Sequence, residues 1–567
     1  MLVLKKEAFA RYVIIFLILS CVLTAGVYFL RGTKKIKGQK QYGGTVHLSI
    51  KTARGVCNPL SNNTLDHHRV QQLIFEPLLK PSSNQRGWNY HLAKTVRVAS
   101  GGSKIFIELK QNIRFAPDPC FRLASDELTT KDIAFSLSMA CSNNPHIVSN
   151  DYLAGLIRGG KQFRKQNLNP LLQTVSGVQI IDDYNLIINL DRPINHFLEM
   201  LCGPSFGIMS KQAAAYYASD FFNHPVGTGP FVLEESLADR SIYVANEHYW
   251  RKDRLGNQLP FVNKIVVRFN VSGNQAHRLF LKNKLDLLFD LPVEDLQNAF
   301  GTLSDAKSGK NPLHEVCVKN AAKVHFIQFD CTRAPFNNIN LRKAFALAID
   351  TKTICEEVLK GEGQPLKQRF IPLSQYKMNG AIPLNPTQAA FPIKEAKQLL
   401  LAAGFNQNNP PPAFHFFVDA QKESPAFRWA EAVAKMLRQN LGVRISLHQG
   451  PHKEGVSNAL WRTGWIGDYF GAESYLRLFY SGAQAPVYFK NLTIDSLYVK
   501  SILASSFEKK IKLQQDCEKE IIAQQALIPI FSQGFILLKQ LHLRGLELND
   551  TGLIDYAQLY IKKVRPI

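Results

Sequence analysis

The sequence lacks the patterns that mark several large classes of protein. No segment repeats at a spacing of roughly 20–50 residues, which excludes solenoids and propellers. The 28 prolines and 35 glycines follow no triplet period, which excludes a collagen-like chain. Charged residues make up 20% and hydrophobic residues 46% of the 567 positions, so the chain is not disordered. Its length predicts about three domains or one large unit of several lobes.

Catalytic and metal-binding motifs are also absent. There is no Walker A loop, no H-E-x-x-H and no C-x-x-C, and the nine cysteines show no zinc spacing. Their wide scatter is compatible with free buried thiols or with one or two disulfides. Residues 203–207 fit G-x-S-x-G, but the preceding residues look helical, so Ser205 is not predicted to be a nucleophile. His67 and His68 are adjacent and point in different directions, which favours a solvent-exposed pair. We therefore predict no metal site, no cofactor and no enzyme.

Acidic residues are scarce relative to basic ones. Lysine and arginine number 68 against 45 acidic residues, which gives a formal net charge of +23. Such a charge favours anionic partners, but no basic run with interleaved aromatic residues follows residue 41, so nucleic acid is not predicted. Anionic lipid or an acidic envelope polymer would fit the charge. A basic surface without a dedicated partner is the alternative.

Long apolar runs are absent apart from residues 12–30, which excludes a polytopic transporter. As a helix this run would extend about 28 Å, enough to cross a bilayer. It is interpreted as an uncleaved anchor, as a signal cleaved after Gly26, or as a lipoprotein signal with Cys21 in a lipobox-like sequence. Five basic residues follow the run and three precede it, which by the positive-inside rule alone would place the rest of the chain in the cytoplasm.

Local patterns predict a mixed α/β fold of several lobes. Alternating apolar residues predict strands at residues 45–50, 103–109, 185–190, 264–269, 324–329 and 443–448. Apolar residues at helical spacing predict helices at residues 130–140, 394–403 and 425–441, and on both sides of Asp350 within 340–359. Asp350 is predicted to cap a helix, and Gly404 to end one.

Two motifs around residues 226–250 have simple structural interpretations. Gly227 and Gly229 enclose a threonine ahead of Pro230, which is typical of a tight turn. A phosphate-binding loop is not favoured, because no Lys-Ser/Thr pair and no helix start follow. Tyr249 and Trp250 are expected to pack under a loop.

Short motifs occur in order along residues 42–535. They are YGGT at 42–45, FEPLL at 75–79, IRF at 113–115, LTTKDIAFS at 128–136, PVGTGPF at 225–231, NEHYW at 246–250, LPFVNKI at 259–265, PF at 335–336, LRKAF at 341–345, AID at 348–350, AKQLL at 396–400, AGF at 403–405 and GWIGDY at 464–469. The whole series resembles bacterial solute-binding protein family 5, the extracytoplasmic receptors of oligopeptide and dipeptide ABC importers.

The resemblance implies a type II periplasmic-binding fold of the cluster C type, in which a hinge joins two lobes and an extra domain is added. The implied organisation is residues 1–41 as signal or membrane anchor with a basic linker, 42–81, 203–310 and 527–567 as lobe I, 82–202 as the extra domain II, and 311–526 as lobe III. The chain would cross between the lobes near residues 324–330 and 527–531.

The resemblance also implies a ligand site. In receptors of this family the aspartate at the position of Asp468 binds the α-ammonium group of a peptide, because a buried cation needs a fixed opposite charge. The backbone of Gly464 and Ile466 would pair with the ligand main chain as an added strand. Trp465 would form an apolar wall, and Tyr469 completes the motif. A loop-capping carboxylate is the alternative role of Asp468.

The implied ligand is a short peptide, and the implied partners are the permease subunits of an ABC importer, with the receptor a monomer. The resemblance outweighs the flanking charges, so we expect the receptor at the extracytoplasmic face of the membrane, anchored or secreted. Residues 470–474 depart from the family pattern, and Glu473 would change the charge of the site. Two alternatives are a receptor for a nickel chelate, haem or a murein peptide, and a degenerate member that binds an acidic polymer or lipid.

Overall fold

The fold comes from a computed structural model. It describes residues 37–38, 40–55, 57–61, 64–82, 87–147, 151–194, 196–289, 314–361, 363–366, 368–376, 392–453, 455–467, 471–482, 488–504, 506–549 and 551–562. The apolar run at residues 12–30 lies outside these ranges. Within them, no helix combines the length and the hydropathy needed to cross a bilayer.

The strands, in chain order, are β1 (Thr45–Ser49), β2 (Leu79–Pro81), β3 (Trp88–Tyr90), β4 (Ala93–Ala99), β5 (Lys104–Leu109), β6 (Val178–Ile180), β7 (Asn185–Asn189), β8 (Phe231–Ser236), β9 (Arg240–Ala245), β10 (Lys264–Arg268), β11 (Leu287–Phe289), β12 (His314–Phe329), β13 (Gly363–Pro365), β14 (Phe414–Val418), β15 (Ile445–Gln449), β16 (Ala459–Ile466), β17 (Leu527–Gln540), β18 (Leu543–Arg544) and β19 (Tyr560–Ile561).

The α-helices are α1 (Leu65–Gln71), α2 (Thr130–Ala140), α3 (Asp151–Ala154), α4 (Gly160–Lys165), α5 (Phe197–Met200), α6 (Lys211–Tyr217), α7 (Gly273–Leu281), α8 (Ile339–Leu347), α9 (Thr351–Thr353), α10 (Ile393–Ala402), α11 (Pro425–Leu441), α12 (Glu473–Leu476), α13 (Leu492–Ile502) and α14 (Phe507–Ala523). A π-helical turn, Ile354–Val358, follows α9 directly.

The predicted helix boundaries agree with side-chain and backbone caps. Thr129 and Asp132 form a reciprocal capping box at the start of α2. The carboxylate of Asp350 accepts from the backbone N–H groups of Lys352 and Thr353, so its predicted capping role is confirmed. Gly442 ends α11 in the left-handed conformation at φ +69°. Each capping residue lies within a few residues of the helix end that it defines, so the sequence alone could predict these helix ends.

Three sheets form most of the fold. Sheet A has the order β1-β10-β9-β8, and sheet B has the order β4-β5-β7-β6. The seven-stranded sheet C has the order β11-β17-β12-β16-β14-β15, with β13 paired to β17. Residues of sheets A and B share one hydrophobic core, which we call core 1. Sheet C has a core on each face: core 2 contains residues of α8, α10 and α11, and core 3 contains residues of α12, α13 and α14.

Two long antiparallel strands connect these cores. Residues 314–319 of β12 lie opposite 535–540 of β17, and after a register shift residues 323–328 lie opposite 527–533. Phe535 and Leu537 pack in core 1, whereas Ile327 and Ile528 pack in core 2. The predicted crossing segments therefore lie within β12 and β17. The predicted strand at 324–329 is only the end of β12. The domain limits given above stay a prediction.

The glycines at residues 227 and 229 allow two backbone segments to approach closely. The N–H of Gly229 donates to the carbonyl of Ile74 at 2.7 Å. A Cβ atom on Gly227 would lie 2.1 Å from that same carbonyl oxygen, and one on Gly229 would lie 2.5 Å from it. Side chains at these positions are therefore excluded, and the motif is a structural turn.

A buried carboxylate explains why the FEPLL and NEHYW motifs occur together. Glu76 accepts hydrogen bonds from Tyr249 Oη at 2.8 Å, Trp250 Nε1 at 2.8 Å and Thr228 Oγ1 at 3.2 Å, and it contacts His91 Nε2 at 2.7 Å. Burial alone would raise the pKa of Glu76, but the contacts of His91, the charge of Lys80 and the Trp250 indole outweigh it and lower that pKa to about 2. Glu76 therefore joins several distant segments of the chain as an ionised group.

Candidate ligand-binding site

The predicted site residues Gly464, Trp465 and Ile466 form the end of β16. On one side they pair with residues 323–325 of β12. On the other side β14 pairs with β16 only at residues 459–461. In the part of the chain that the structure describes, no other strand covers residues 462–466. Their outer N–H and C=O groups therefore form an open edge, on which an extended ligand can add as a strand.

Side chains pack closely over the backbone of Gly464. An added Cβ on Gly464 would lie 3.0 Å from Arg462 Nη2 and 3.4 Å from His325 Nδ1. Trp465 is half-buried, and its indole N–H donates to the backbone carbonyl of Ser474 at 3.1 Å. This bond fixes the orientation of the ring. Trp465 can therefore present a rigid apolar surface next to the open edge.

The site lies where the three cores meet. Ile466 packs against core 1, Trp465 against core 3, and Leu460, earlier on the same strand, belongs to core 2. β16 pairs with residues 323–329 of β12, so a ligand on its edge would lie beside this end of the β12–β17 pair. The predicted residues Asp468 and Tyr469 lie outside the described residues, so their roles stay predictions.

Arg462 and His325 are polar groups at the site that the sequence analysis missed. Within the described ranges, the Arg462 guanidinium makes no hydrogen bond, and its buried Nε has no partner. Burial lowers the pKa of Arg462, and Asp419 opposes this shift. His325 contacts Gln533 Oε1 through Nε2 at 3.2 Å, and its pKa is held well below the usual range by burial and by Lys323 and Arg462. Because side chains alternate between the two faces of a strand, Arg462 lies on the same face of β16 as Gly464. The sequence alone could have shown this.

Glu473 does not add a free charge to the site, contrary to the sequence-based expectation. It is only 2% exposed and forms an ion pair with Lys510, which is 8% exposed. Burial would raise the pKa of Glu473, but Lys510 and His196 outweigh it and lower the pKa to about 2. His196 belongs to the segment before α5, whereas Lys510 lies on α14. The negative charge of Glu473 and the positive charge of Lys510 therefore compensate each other inside the protein.

The Glu473–Lys510 pair is expected to show a coupling energy of about 1–3 kcal/mol in a double-mutant cycle. Lys510→Met leaves a buried carboxylate without its cation, and Glu473→Gln leaves a buried ammonium, so each single variant is destabilised. The double variant is expected to recover part of both losses. Urea unfolding of the four proteins measures the cycle, and strictly additive losses would contradict a direct interaction.

Ser205, His67 and His68 do not form a catalytic site. Ser205 lies in a 3-10 turn that follows the helix α5, whereas a nucleophile elbow needs a strand at that place. Its Oγ is 3.4 Å from His68 Nε2, and burial together with His67 lowers the pKa of His68 to about 4. His67 instead contacts Thr64 Oγ1 and the carbonyl of Ala53. The two histidines point to different partners, as predicted, but they are half-buried rather than exposed.

Metal-binding and disulfide features do not alter this description. In the described ranges, no group of three or more histidine, cysteine or acidic side chains could hold a metal ion. The eight cysteines in those ranges are all free thiols. Their scatter therefore corresponds to separate thiols, mostly buried, which was one of the two interpretations of the sequence.

Two long strands join two bodies that each contain a sheet. A strand with an open edge lies at their junction. This arrangement defines the class of type II periplasmic-binding folds. The Escherichia coli murein tripeptide binding protein MppA has a similar structure, with a TM-score of 0.74 at 19% identity over 94% of this chain and 100% of that one. The Helicobacter pylori protein DppA in complex with peptide STSA gives a TM-score of 0.76 at 18% identity over 93% of this chain and 100% of that one. These likenesses establish the fold.

Residues 88–486 match the model of the bacterial extracellular solute-binding proteins, family 5, and the chain belongs to this family. It is thus a solute-binding receptor and not an enzyme. Dipeptide-binding protein DppE of Bacillus subtilis (strain 168) is 24% identical over 427 residues, which cover 72% of this chain and 73% of the relative. Heme-binding protein A of Haemophilus influenzae is 24% identical over 516 residues, which cover 86% and 87%.

Proposed function

We propose that this chain captures short peptides outside the cytoplasm and delivers them to the permease of an ABC importer. The open edge of β16 at residues 462–466 is the main support for this proposal. An extended peptide can pair with that edge through its main chain, which gives affinity without reading its side chains. Gly464 lets the side chains of Arg462 and His325 pack close to the backbone at this edge, and Trp465 would form a wall beside it.

Asp468 would bind the α-ammonium group of the peptide. It follows β16 directly, two residues after Ile466, so a ligand strand paired with β16 would have one end near this carboxylate. A free amino terminus is a compact cation, and a buried cation needs a fixed anion. This arrangement predicts a requirement for an unblocked amino terminus. Tyr469 would lie next to the same end of the ligand.

Arg462 would bind the negative charge at the other end of a short peptide. It lies six residues before Asp468 in the sequence, and six residues of a strand would span about 20 Å. The long arginine side chain shortens the distance that the ligand must span. Its Nε is buried without a partner and its guanidinium makes no hydrogen bond among the described residues, so a carboxylate would satisfy it.

Arg462→Met is expected to weaken binding of a peptide with a free carboxyl terminus by roughly 10- to 100-fold, since charged hydrogen bonds contribute about 1.5–3 kcal/mol. The methionine keeps most of the apolar stem. The same peptide with an amidated carboxyl terminus should bind both proteins alike. Isothermal titration calorimetry measures the four affinities, and an equal loss for both peptides would exclude a role in carboxylate recognition.

Closure of the two lobes would accompany binding. The strands β12 and β17 run between core 1 and core 2, so bending within this pair would move one lobe relative to the other. A ligand on the β16 edge would favour the closed state because only that state contacts it from both sides. We assign residues 42–81, 203–310 and 527–567 to lobe I, 82–202 to domain II and 311–526 to lobe III. The closed receptor would act as a monomer on the permease.

Location and an alternative ligand complete the proposal. The family is extracellular, and we propose that the apolar run at residues 12–30 either anchors the chain in the membrane or directs its secretion.

Haem is the alternative ligand, because heme-binding protein A is related over 86% of this chain. Titration of a tripeptide and of haem into separate samples tests the proposal. Micromolar or tighter peptide binding supports it, and binding of haem alone would overturn it.

A further inference from the structure

The segment that precedes β1 is docked on the body of the protein rather than being a free linker. We call residues 37–38 and 40–42 the N-terminal strap. The backbone N–H of Lys37 donates to Asn257 Oδ1 at 2.9 Å, and the amide of Asn257 donates back to the carbonyl of Lys37 at 3.0 Å. Asn257 is buried. This two-way pair fixes the backbone of the strap where it meets the loop at residues 251–258.

An ion pair holds the middle of the strap on the same loop. Lys40 Nζ lies 2.8 Å from Asp253 Oδ2, and the Asp253 side chain is 1% exposed. Burial would raise the pKa of Asp253, but Lys40 and Asn257 outweigh it and lower that pKa to about 2. Tyr42 Oη donates to the carbonyl of Gln258 at 2.6 Å. The strap therefore leaves the body at one defined place.

The loop that holds the strap is basic on its outer side. Lys252 and Arg254 are exposed, as is Lys37. None of these three makes an ion pair within the described ranges. The sequence adds Arg31, Lys34 and Lys35 in the segment just before the strap. Among the described residues, exposed cations from two distant parts of the chain, Lys37 on the strap and Lys252 and Arg254 on the loop, thus lie where the strap meets the loop.

The distance between strap and apolar run is short. Only residues 31–36 separate Leu30 from Lys37, so a fully extended chain spans at most about 25 Å. If residues 12–30 anchor the chain, this tether holds the loop close to the lipid headgroups. Each lysine or arginine near an anionic surface is attracted to it, and the attraction fades within a Debye length of about 10 Å.

We propose that the loop at residues 251–255, positioned by the N-terminal strap, contacts anionic phospholipid headgroups of the membrane that holds residues 12–30. This contact fixes lobe I relative to the membrane. The inference rests on the anchored form of the proposed function and is independent of which ligand the β16 edge binds.

Hydrogen exchange of the full-length chain in lipid nanodiscs tests this contact. We expect amides of residues 250–258 to exchange at least fivefold more slowly in phosphatidylglycerol discs than in phosphatidylcholine discs, and the difference to disappear at 0.5 M salt, where the Debye length is below about 5 Å. Lys252→Ser/Arg254→Ser should remove the protection. Lys161→Ser/Lys165→Ser, which removes two exposed cations from α4, should keep it.

Each other outcome has a definite meaning. Equal exchange in both discs, or protection that survives loss of Lys252 and Arg254, would overturn the lipid contact. A chain recovered outside the discs would overturn the anchored form, and with it this inference. Peptide affinity measured on the same samples reports the proposed function separately, since the loop joins β9 and β10 of sheet A whereas residues 462–466 belong to β16 of sheet C.

Discussion

Asp468→Asn is expected to reduce affinity for peptides with a free amino terminus by two to three orders of magnitude. The substitution keeps the shape of the side chain and removes the anion that would face the α-ammonium group. Leaving one partner of a buried ion pair without the other costs about 3–5 kcal/mol, and each 1.4 kcal/mol is a factor of ten. Calorimetric titration with a tripeptide measures this loss.

The amino terminus of the ligand provides the matched control. An N-acetylated tripeptide should bind the native protein as weakly as the free tripeptide binds Asp468→Asn, and acetylation should matter little to the variant. Asp239→Asn, which removes an exposed carboxylate between β8 and β9, should bind like the native protein. If Asp468→Asn binds the free peptide with native affinity, the carboxylate has only a local capping role.

Glu76→Ala is expected to destabilise the protein by about 3–5 kcal/mol. The variant leaves the donors of Thr228, Tyr249 and Trp250, and the contact of His91, without their acceptor in the protein interior. Each buried group left unsatisfied costs about 1–3 kcal/mol, partly offset by relaxation. Glu76→Gln, which keeps one acceptor oxygen, should lose less. Urea unfolding at pH 7 measures both.

A surface carboxylate and a pH series complete this test. Glu234→Ala removes an exposed ion pair with Lys264 and should change stability by at most about 1 kcal/mol. The pKa of Glu76 is lowered from 4.5 to about 2. Its contribution is therefore complete above pH 4.5 and is lost as the pH falls toward 2. If the free energy of unfolding of the native protein falls no more steeply over this pH range than that of Glu76→Gln, Glu76 is not ionised in the native protein.

Local elements of the fold could be predicted from sequence because their causes are local. The caps at Thr129 and Asp350 and the glycine after α11 lie within a few residues of the helix ends they define. The full length of β12 could not be predicted. Residues 314–323 show no alternation, and they form a strand because β17, about 200 residues later, pairs with them.

The site was predicted only in part. The motif at residues 464–469 identified the strand end, but the open edge depends on where β14 stops pairing, which no local pattern shows. The Lys510 partner of Glu473 and the Asp253 partner of Lys40 are distant in sequence, and only the fold brings them together. Arg462 could have been found, since strand alternation places it on the face of Gly464.

Native mass spectrometry of the purified full-length chain, followed by identification of the released ligand, tests peptide capture most directly. We expect a mixture of short peptides with free amino termini bound to the native protein, and an empty Asp468→Asn variant. A protein that carries haem or a metal chelate, or that is empty and ignores added peptides, would contradict the proposed function.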